Sequence, residues 1–439
     1  MLEFGNFTLY HCSPEVHFSS SLRALNHQNF RRYFVGQTVS QLGSWMQSTA
    51  IMWLAYRLTG STAATGTIGF LAMVPYILIT PIAGAVSDRV SRRKLLMAML
   101  TLSIVQAGVL TFLTATGQIT IVTLGVLAFL QGVLNGIEVP TRHAFFVQLV
   151  DHPEDLPNAI ALNSININST RLIGPAIGGL LISAVGEALC FGLNAVSYLA
   201  VLAQLARIRP RESQRNTRKT TLFGDLVDGW KFALSQPVIR ALLFTLGIVS
   251  FSISAYTSLM PAVSVQVFGK GAELNGLFIS CVGFGALVGA IVLARRPSVR
   301  GLTRWLLVVV WLTALGALGF SVSRNEWLSF LFMAMTGMGL MGSSATVNTI
   351  IQSVVDEDRR GRVVSTYSTF FIGAAPLGHL AAGWLAEHIG APRTFTACGL
   401  LCALAATAYW LYLPRLRAHL RPLYAARGII AATAEPQDK

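Results

Sequence analysis

The stretch GAVSDRVSRRK, residues 84 to 94, forms a short polar turn between two long apolar runs. It carries one acid, Asp88, and four bases after it. Lys and Arg that flank a hydrophobic segment are retained on the cytosolic side of a membrane. The turn therefore predicts a hairpin of two membrane-spanning helices whose tip lies in the cytosol, and hence a polytopic membrane protein.

The composition of the whole chain favours the same class. The 439 residues are 53% hydrophobic and 12% charged, with a mean hydropathy of +0.58, whereas a soluble domain has roughly 25% charged residues. Twelve apolar runs approach the ~20 residues that cross the hydrocarbon core. Numbered as spans 1 to 12, they are 34–57, 65–86, 95–116, 119–141, 160–185, 188–206, 240–268, 275–294, 303–322, 327–350, 362–389 and 393–413.

The basic residues cluster on one side of these predicted spans. All but five of the 33 Lys and Arg fall in the terminal segments and in the connections that follow spans 2, 4, 6, 8 and 10. The exceptions are Arg57, Arg171, Lys270, Arg324 and Arg393. This pattern predicts that both termini are cytosolic and that the chain lies in a plasma membrane, such as a bacterial inner membrane. The net charge of +14 therefore implies no nucleic-acid partner.

One long, polar connection divides the spans into two sets of six. The segment QLVDHPED in the first set resembles QSVVDEDR in the second, which indicates a weak internal repeat. Parallel six-helix repeats are typical of transporters that bind their substrate between the halves. The sequence predicts an all-α membrane protein, with an arm at 1–22, a bundle at 23–207, a linker at 208–237, a bundle at 238–415 and a tail at 416–439.

These features resemble the major facilitator superfamily over roughly residues 22 to 415. GAVSDRVSRRK is similar to the family signature between helices 2 and 3, except that Ser91 replaces its second glycine. PTRHAFFVQLV, LPNAIALNSININSTRLIGPAIGG and GRVVSTYSTFFIGAAPLG resemble the siderophore and drug exporter branch that includes the enterobactin exporter. The resemblance implies the twelve-helix fold of that superfamily and alternating access.

The segment GPAIGG is similar to the helix 5 motif of the family's exporters, where it is associated with export. Its residues here are Gly174, Pro175, Gly178 and Gly179. From spacing alone, close helix packing and a bend are all that follows. In span 11 the related segment keeps Pro376 and places His379 where a second glycine would stand; a histidine can change its charge near neutral pH, but a lone one is more often a structural hydrogen bonder.

Span 4 presents Gln131, Asn135, Glu138 and Arg142 on one helical face, because they follow a spacing of four, three and four. A carboxyl in the membrane favours its protonated form, so Glu138 is a candidate proton carrier. The alternative is a structural ion pair between Glu138 and Arg142 or Arg171. Arg171 has two possible roles. It either joins two helices permanently, or it forms an ion pair with Glu138 in which a proton or an anionic substrate can compete for one partner. Span 4 also lacks the buried arginine that is usual in proton-coupled drug exporters of the superfamily.

Further polar residues lie at helical spacing in other spans. Such stripes either line a cavity or join helices by hydrogen bonds, and amides and hydroxyls with few charges suit a bulky amphipathic solute. The predicted cavity residues, in addition to Gln131 and Asn135, are Gln37, Gln41, Ser44, Trp45, Ser48, Ser254, Tyr256 and Asn348.

The turn between spans 2 and 3 is the predicted gate. The resemblance implies that Asp88 meets the positive end of helix 11 when the cytosolic side is closed. The bases Arg89, Arg92 and Arg93 are expected to pair with acids such as Asp356, Glu357 and Asp358, and Gly84 opens the turn. The alternative is that these bases only fix the topology.

The leading hypothesis is a secondary active exporter of a siderophore-like metabolite or a drug, driven by proton antiport. A second hypothesis is the movement of lipid or lysolipid between leaflets, and a third is a sensor or scaffold on the transporter fold. Phosphate-binding loops, metal-ligand spacings and Ser-His-acid sets are not recognisable, so an enzyme is not expected. The expected partners are a small molecule, protons and membrane lipid, with no cofactor or metal, and the expected state is a monomer.

Overall fold

The computed structural model describes residues 20–150, 152–208, 222–254, 256–296 and 298–427. These residues form helices joined by short turns, and no β-strand occurs among them. Ten helical stretches in this part of the chain are long and apolar enough to cross a membrane. The prediction of an all-α, multi-pass membrane protein is therefore confirmed.

The first six α-helices, here called the N-terminal group, coincide with spans 1 to 6. They are α1 (Gln28–Thr59), α2 (Thr62–Arg89), α3 (Arg92–Ala115), α4 (Ile121–Phe146), α5 (Leu156–Val185) and α6 (Glu187–Arg207). The helices α1 and α5 are not among the ten candidate spans. Their hydropathy is lowered by polar residues that face other helices, such as the buried Gln37 and Gln47 in α1 and Asn166 in α5.

The helices of the second half follow a short helix within the predicted linker, α7 (Leu222–Ser235). This C-terminal group comprises α8 (Pro237–Ile253), α9 (Tyr256–Gln266), α10 (Ala272–Ala294), α11 (Leu302–Val322), α12 (Glu326–Val354), α13 (Glu357–Ile389) and α14 (Ala391–Ala426). Span 7 is thus divided between α8 and α9. The sequence analysis did not predict α7, which packs on α13 through the rings of Trp230 and Phe370, 5.3 Å apart.

The last helix, α14, continues beyond the predicted end of span 12 at residue 413. Leu416, Leu420 and Tyr424 recur every four residues, and all three are buried against the C-terminal group. This apolar stripe keeps the chain helical past Pro414. The predicted tail therefore begins as part of a packed helix.

Two helix pairs join the groups, α5 with α10 and α2 with α13. A side chain on Gly179 of α5 would overlap the backbone of Gly276 in α10, and one on Gly66 of α2 would overlap that of Gly383 in α13. Small residues allow such close approach between membrane helices. Both contacts lie toward the face opposite the chain termini, here called the far face; the face where α1 begins and α14 ends is the termini face.

Candidate functional site

A layer of buried amides crosses the N-terminal group between two apolar clusters, one toward each face. Asn194 donates from Nδ2 to Oε1 of Gln47 at 2.8 Å, and Gln47 donates from Nε2 to Oε1 of Gln106 at 3.4 Å. Gln106 in turn donates to the carbonyl of Leu127 at 3.1 Å. Buried amides are costly unless they are paired, so this network holds α1, α3, α4 and α6 in one arrangement.

A cavity of about 130 Å³ adjoins this layer. Four of its lining residues were predicted from the sequence: Ser44, Ser48, Gln131 and Asn135. Gln131 donates to Oδ1 of Asn135 at 3.0 Å, while its own Oε1 is buried without a hydrogen-bond partner in the described part of the chain. An unsatisfied acceptor in a polar cavity can accept a hydrogen bond from a ligand or a water molecule.

Two further polar lining residues, Gln47 and Tyr198, were not predicted. The phenol of Tyr198 lies 3.3 Å from Oγ of Ser44. Gln47 could have been found because it is an amide in an apolar span, three residues after Ser44. Tyr198 gave no signal in the sequence, because it is a single aromatic residue in the middle of an apolar span.

Glu138 and Arg142 form an ion pair at the termini side of the cavity stripe. Nη1 of Arg142 lies 3.3 Å from Oε1 of Glu138, and their side chains are 20% and 10% exposed. Tyr33 and Tyr198 lie close enough to interact electrostatically with both groups. Of the two partners considered for Glu138 from the sequence, the structure places Arg142 beside it.

Arg171 lies at the boundary between the two groups. Its guanidinium carbon is 5.3 Å from the centroid of the Trp45 ring, and Tyr256 of the C-terminal group interacts with it electrostatically. The Nε atom is buried and has no hydrogen-bond partner among the described residues. A cation over an indole face is stabilised by about 1 kcal/mol.

The other predicted cavity residues lie outside the 130 Å³ cavity. Gln37 is buried, and Gln41 accepts a hydrogen bond from Thr170 of α5 at 3.2 Å. In the C-terminal group, Ser254 lies 3.3 Å from Ser250, and Asn348 accepts from Gln352 at 3.0 Å. These contacts join neighbouring turns or helices.

The helix 5 motif lies between two neighbouring helices. Gly174 and Gly178 face Trp45 and Met46 of α1, whereas Gly179 faces α10. The carbonyl of Pro175 is directed at Gly276. The motif thus brings α5 close to α1 within its own group and to α10 across the boundary.

His379 is buried, and its Nδ1 lies 2.6 Å from Oγ of Ser258. It also faces Gly69 of α2 across the boundary between the groups. The imidazole thus has a hydrogen-bond partner in α9 and fills the space beside a glycine in α2. This geometry favours the structural interpretation of His379.

At the predicted gate, Arg93 donates to the carbonyls of Leu205 and Ala206 at 2.8 and 2.7 Å. These carbonyls end α6, where the helix dipole favours a cation. Asp356, one of the acids considered for the gate, pairs with Arg427 at 2.7 Å. Arg92 donates to the carbonyl of Ala144 at 3.4 Å.

The remaining gate residues cannot be placed in the same way. The helix α2 includes Gly84, Asp88 and Arg89, but their side-chain surroundings lie outside what the structure describes. The same is true of Asp358. The role of these residues in closing the termini face therefore stays a prediction.

An unpredicted contact joins the groups at the far face. Oε2 of Glu387, near the end of α13, accepts from the backbone N–H groups of Thr62 and Ala63 at 2.8 and 3.1 Å. It also accepts from the hydroxyls of Ser61 and Thr62 at 2.9 and 3.1 Å. The carboxylate thus caps the start of α2, a position that favours negative charge. We call this contact the Glu387 latch.

An all-helical membrane bundle with a polar cavity, and with helix pairs that join two groups, has the architecture of a membrane transporter. Residues 19 to 427 match the transmembrane secretion effector family. The chain belongs to this family of the major facilitator superfamily. The expectation of a transporter rather than an enzyme is confirmed, as is the resemblance to the siderophore and drug efflux branch.

Similar proteins include the staphyloferrin A transporter of Staphylococcus aureus, which is 24% identical over 84% of this chain and 92% of that protein. The multidrug efflux pump Tap of Mycolicibacterium fortuitum is 24% identical over 85% of this chain and 93% of that protein. A bacterial homologue of the human lysosomal transporter Spinster, solved in an inward-facing, unoccupied conformation, matches with a TM-score of 0.69 and 14% identity, covering 92% of this chain and 99% of that one. The last likeness concerns the fold alone.

Proposed function

We propose that this protein exports an amphipathic small molecule from the cytosol by alternating access, driven by proton antiport. The ten candidate spans, together with the more polar helices α1 and α5, support the proposed arrangement of twelve spans in two bundles of six. The one-sided distribution of Lys and Arg supports cytosolic termini. The multidrug efflux pump among the relatives supports export, and the staphyloferrin A transporter supports a siderophore-like solute.

The observation that carries the proposal is the polar stripe of α4. It begins at the cavity with Gln131, whose Oε1 has no described partner, and it ends with the ion pair of Glu138 and Arg142. Its amides and hydroxyls suit the polar part of a solute that is partly apolar and has few charges. At about 130 Å³ the cavity accommodates only part of such a solute in this conformation. Protonation of Glu138 would break its ion pair with Arg142. The net charge beside the cavity would then change with proton binding, and the affinity of the cavity for its substrate would change with it.

Arg171 supports a role at the boundary between the bundles. A guanidinium without an ionic partner among the described residues can bind an anionic group of the substrate, because such binding offsets its desolvation. Trp45 and Tyr256 offer rings from both groups beside it. We assign it to recognition of a negatively charged part of the substrate, and the proton-coupling role to Glu138 and Arg142.

The contacts between the groups support an inward-facing conformation. The latch of Glu387, the pair Gly66 and Gly383, and the pair Gly179 and Gly276 all lie toward the far face. With cytosolic termini, that face is the outer one. When the outer face is closed, the cavity can exchange solute only with the cytosol, and this exchange requires an open inner face.

Lipid translocation is the alternative from the sequence. It would be favoured by an apolar opening between the two groups. One apolar groove of the structure is lined by Ile68, Leu71, Val122, Val126 and Phe129. It therefore lies between α2 and α4 within the N-terminal group, so it adds no support for this alternative.

The test is proton-driven uptake into inside-out vesicles that contain the protein. Staphyloferrin A and ethidium are used as probes, one a siderophore and one an amphipathic dye. We expect uptake of at least one probe when the vesicle interior is acidified, and a reduction of about tenfold or more in Glu138→Gln. The matched control is Glu187→Gln, because Glu187 pairs with Arg57 within the N-terminal group at the far face.

Three results decide this test. Uptake by the control and not by Glu138→Gln supports proton coupling through Glu138. Equal uptake by both variants would leave Glu138 a structural partner of Arg142. Uptake of neither probe under a proton gradient, combined with movement of a labelled lysolipid, would replace the proposal by lipid translocation.

A further inference from the structure

A pocket of about 640 Å³ lies on the termini face of the C-terminal group. Four arginines line it. Arg300 lies in the turn before α11, Arg304 in the first turn of α11, and Arg417 and Arg421 near the end of α14. We call it the arginine pocket. None of the described lining residues is acidic, and Thr303 and Tyr424 add a hydroxyl and an aromatic ring.

Local structure fixes the positions of these arginines. Gly301 has a φ of +79°, which turns the chain between Arg300 and the first turn of α11. On α14, Leu416 and Leu420 are buried against the core, so the adjacent Arg417 and Arg421 lie one turn apart at the edge of the packed face. The two elements are tied together because the phenol of Tyr409 donates to the carbonyl of Thr303 at 3.2 Å.

The pocket lies at the level of the lipid headgroups. The apolar stretch of α11 begins at Leu302, beside Arg300 and Arg304. The stretch assigned to α14 has 35 residues, or about 52 Å at 1.5 Å per residue, against a hydrocarbon core of about 30 Å. Its last turns therefore extend beyond the core on the termini side. Trp305, which carries Arg296 at 4.6 Å over its ring, is of the residue type that marks this boundary.

The guanidinium groups of Arg304, Arg417 and Arg421 share one pocket and repel each other, and a bound oxyanion relieves that repulsion. Arginine is suited to phosphate because its planar fork donates two parallel hydrogen bonds to adjacent oxygens. A basic pocket between membrane helices on the cytosolic side is a favourable site for an anionic lipid headgroup. Leu420 and Pro422 add apolar lining beside the arginines.

We infer that the arginine pocket binds a phosphate group, supplied by an anionic phospholipid or by free phosphate. The bound phosphate joins the start of α11 to the end of α14 and so stabilises the C-terminal group. This site is separate from the cavity in the N-terminal group and does not depend on which solute is exported.

The experiment measures the unfolding temperature of the full-length protein in detergent with added phosphatidylglycerol, phosphatidylcholine or inorganic phosphate. We expect phosphatidylglycerol to raise Tm by about 5 °C, because a ligand that binds only the folded state stabilises it. The double variant Arg304→Gln, Arg421→Gln should retain less than half of this rise. The control is Arg295→Gln, Arg415→Gln, which removes the same charge from exposed arginines of the termini face that do not line the pocket.

The arms of the experiment separate the two sources of phosphate. Protection by phosphatidylglycerol alone identifies a lipid site, and equal protection by inorganic phosphate at the same concentration identifies a site for the free anion. Equal protection by phosphatidylcholine, or full protection of the pocket variant, would overturn the inference. If the double variant does not fold, native mass spectrometry of Arg421→Gln replaces it, and an unchanged number of bound phosphatidylglycerol molecules would likewise overturn the inference.

Discussion

Two arginines of the N-terminal group differ in how their charge is balanced. Arg142 lies 3.3 Å from the carboxylate of Glu138. Arg171 has the ring of Trp45 beside it, and its Nε is unpartnered in the described part of the chain. Removing one member of a buried ion pair is destabilising because the other charge is left behind. Removing a buried charge that no carboxylate balances is instead expected to increase the free energy of unfolding.

The variant Arg171→Gln should therefore be more stable than the wild type but slower in transport. An arginine at mid-membrane costs about 3 kcal/mol on insertion scales, and the ring contact returns about 1 kcal/mol. We expect a gain of about 1 to 2 kcal/mol in the free energy of unfolding, measured by titration with SDS in mixed micelles.

The matched variant is Arg142→Gln, which leaves Glu138 buried without its partner. It should lose about 3 kcal/mol in the same titration. If both variants lose stability, Arg171 has an ionic partner and its assignment to substrate recognition fails.

The spacing of polar residues in the sequence predicted which of them share a helix face. It did not predict which neighbouring helix each side chain contacts. Gln131 and Asn135 line the cavity as expected from one face of α4. In α1, spacing selected Gln37 and Gln41, yet Gln47 is the amide that reaches α3 and α6. A single helix face cannot reveal this, because the direction of Gln47 is decided by partners far away in the sequence.

Among the elements, α2 and α13 meet at the far face through the latch of Glu387. One carboxylate oxygen accepts four hydrogen bonds from the first residues of α2 and the residue before it. Hydrogen bonds to an ionised acceptor are about twice as strong as neutral ones. The latch therefore favours the conformation in which the far face is closed.

The variant Glu387→Gln should shift the population toward a far face that is open. A loss of about 1 kcal/mol changes the ratio of the two conformations roughly fivefold. The measurement is the distance distribution between spin labels at Gln118 and Val322, both exposed at the far face, after replacement of the five native cysteines.

Glu187→Gln is the control for this variant, since its ion pair with Arg57 joins two helices of one group. It should leave the distance distribution unchanged. An unchanged distribution in Glu387→Gln would show that the latch contributes nothing to closure of the far face.

The elements themselves could be predicted where hydropathy alone decides them. The six helices of the N-terminal group coincide with spans 1 to 6. The helix α7 was missed because it lies within a long connection that is polar and basic as a whole, and α14 was drawn too short because the apolar run of span 12 was taken to end at residue 413. In both cases packing against other helices outweighs the local signal, as the buried Leu416 and Leu420 illustrate.

For the whole molecule, the proposed alternating access assigns the contacts between the groups to one conformation of the cycle. The glycine pairs and the latch close the far face, and the cavity with its polar stripe lies between the faces. Opening of one face with closure of the other requires the groups to move as units, which the amide network of the N-terminal group favours. The proposed export therefore depends on this reciprocal movement of the two groups.

The most direct test measures two distances in the protein in nanodiscs at pH 5 and pH 8. One label pair, Gln118 and Val322, reports the far face, and the other, Arg207 and Ser298, reports the termini face; all four positions are exposed. We predict that the pH change lengthens one distance while it shortens the other. Distances that stay constant, or that change in the same direction, would contradict the account.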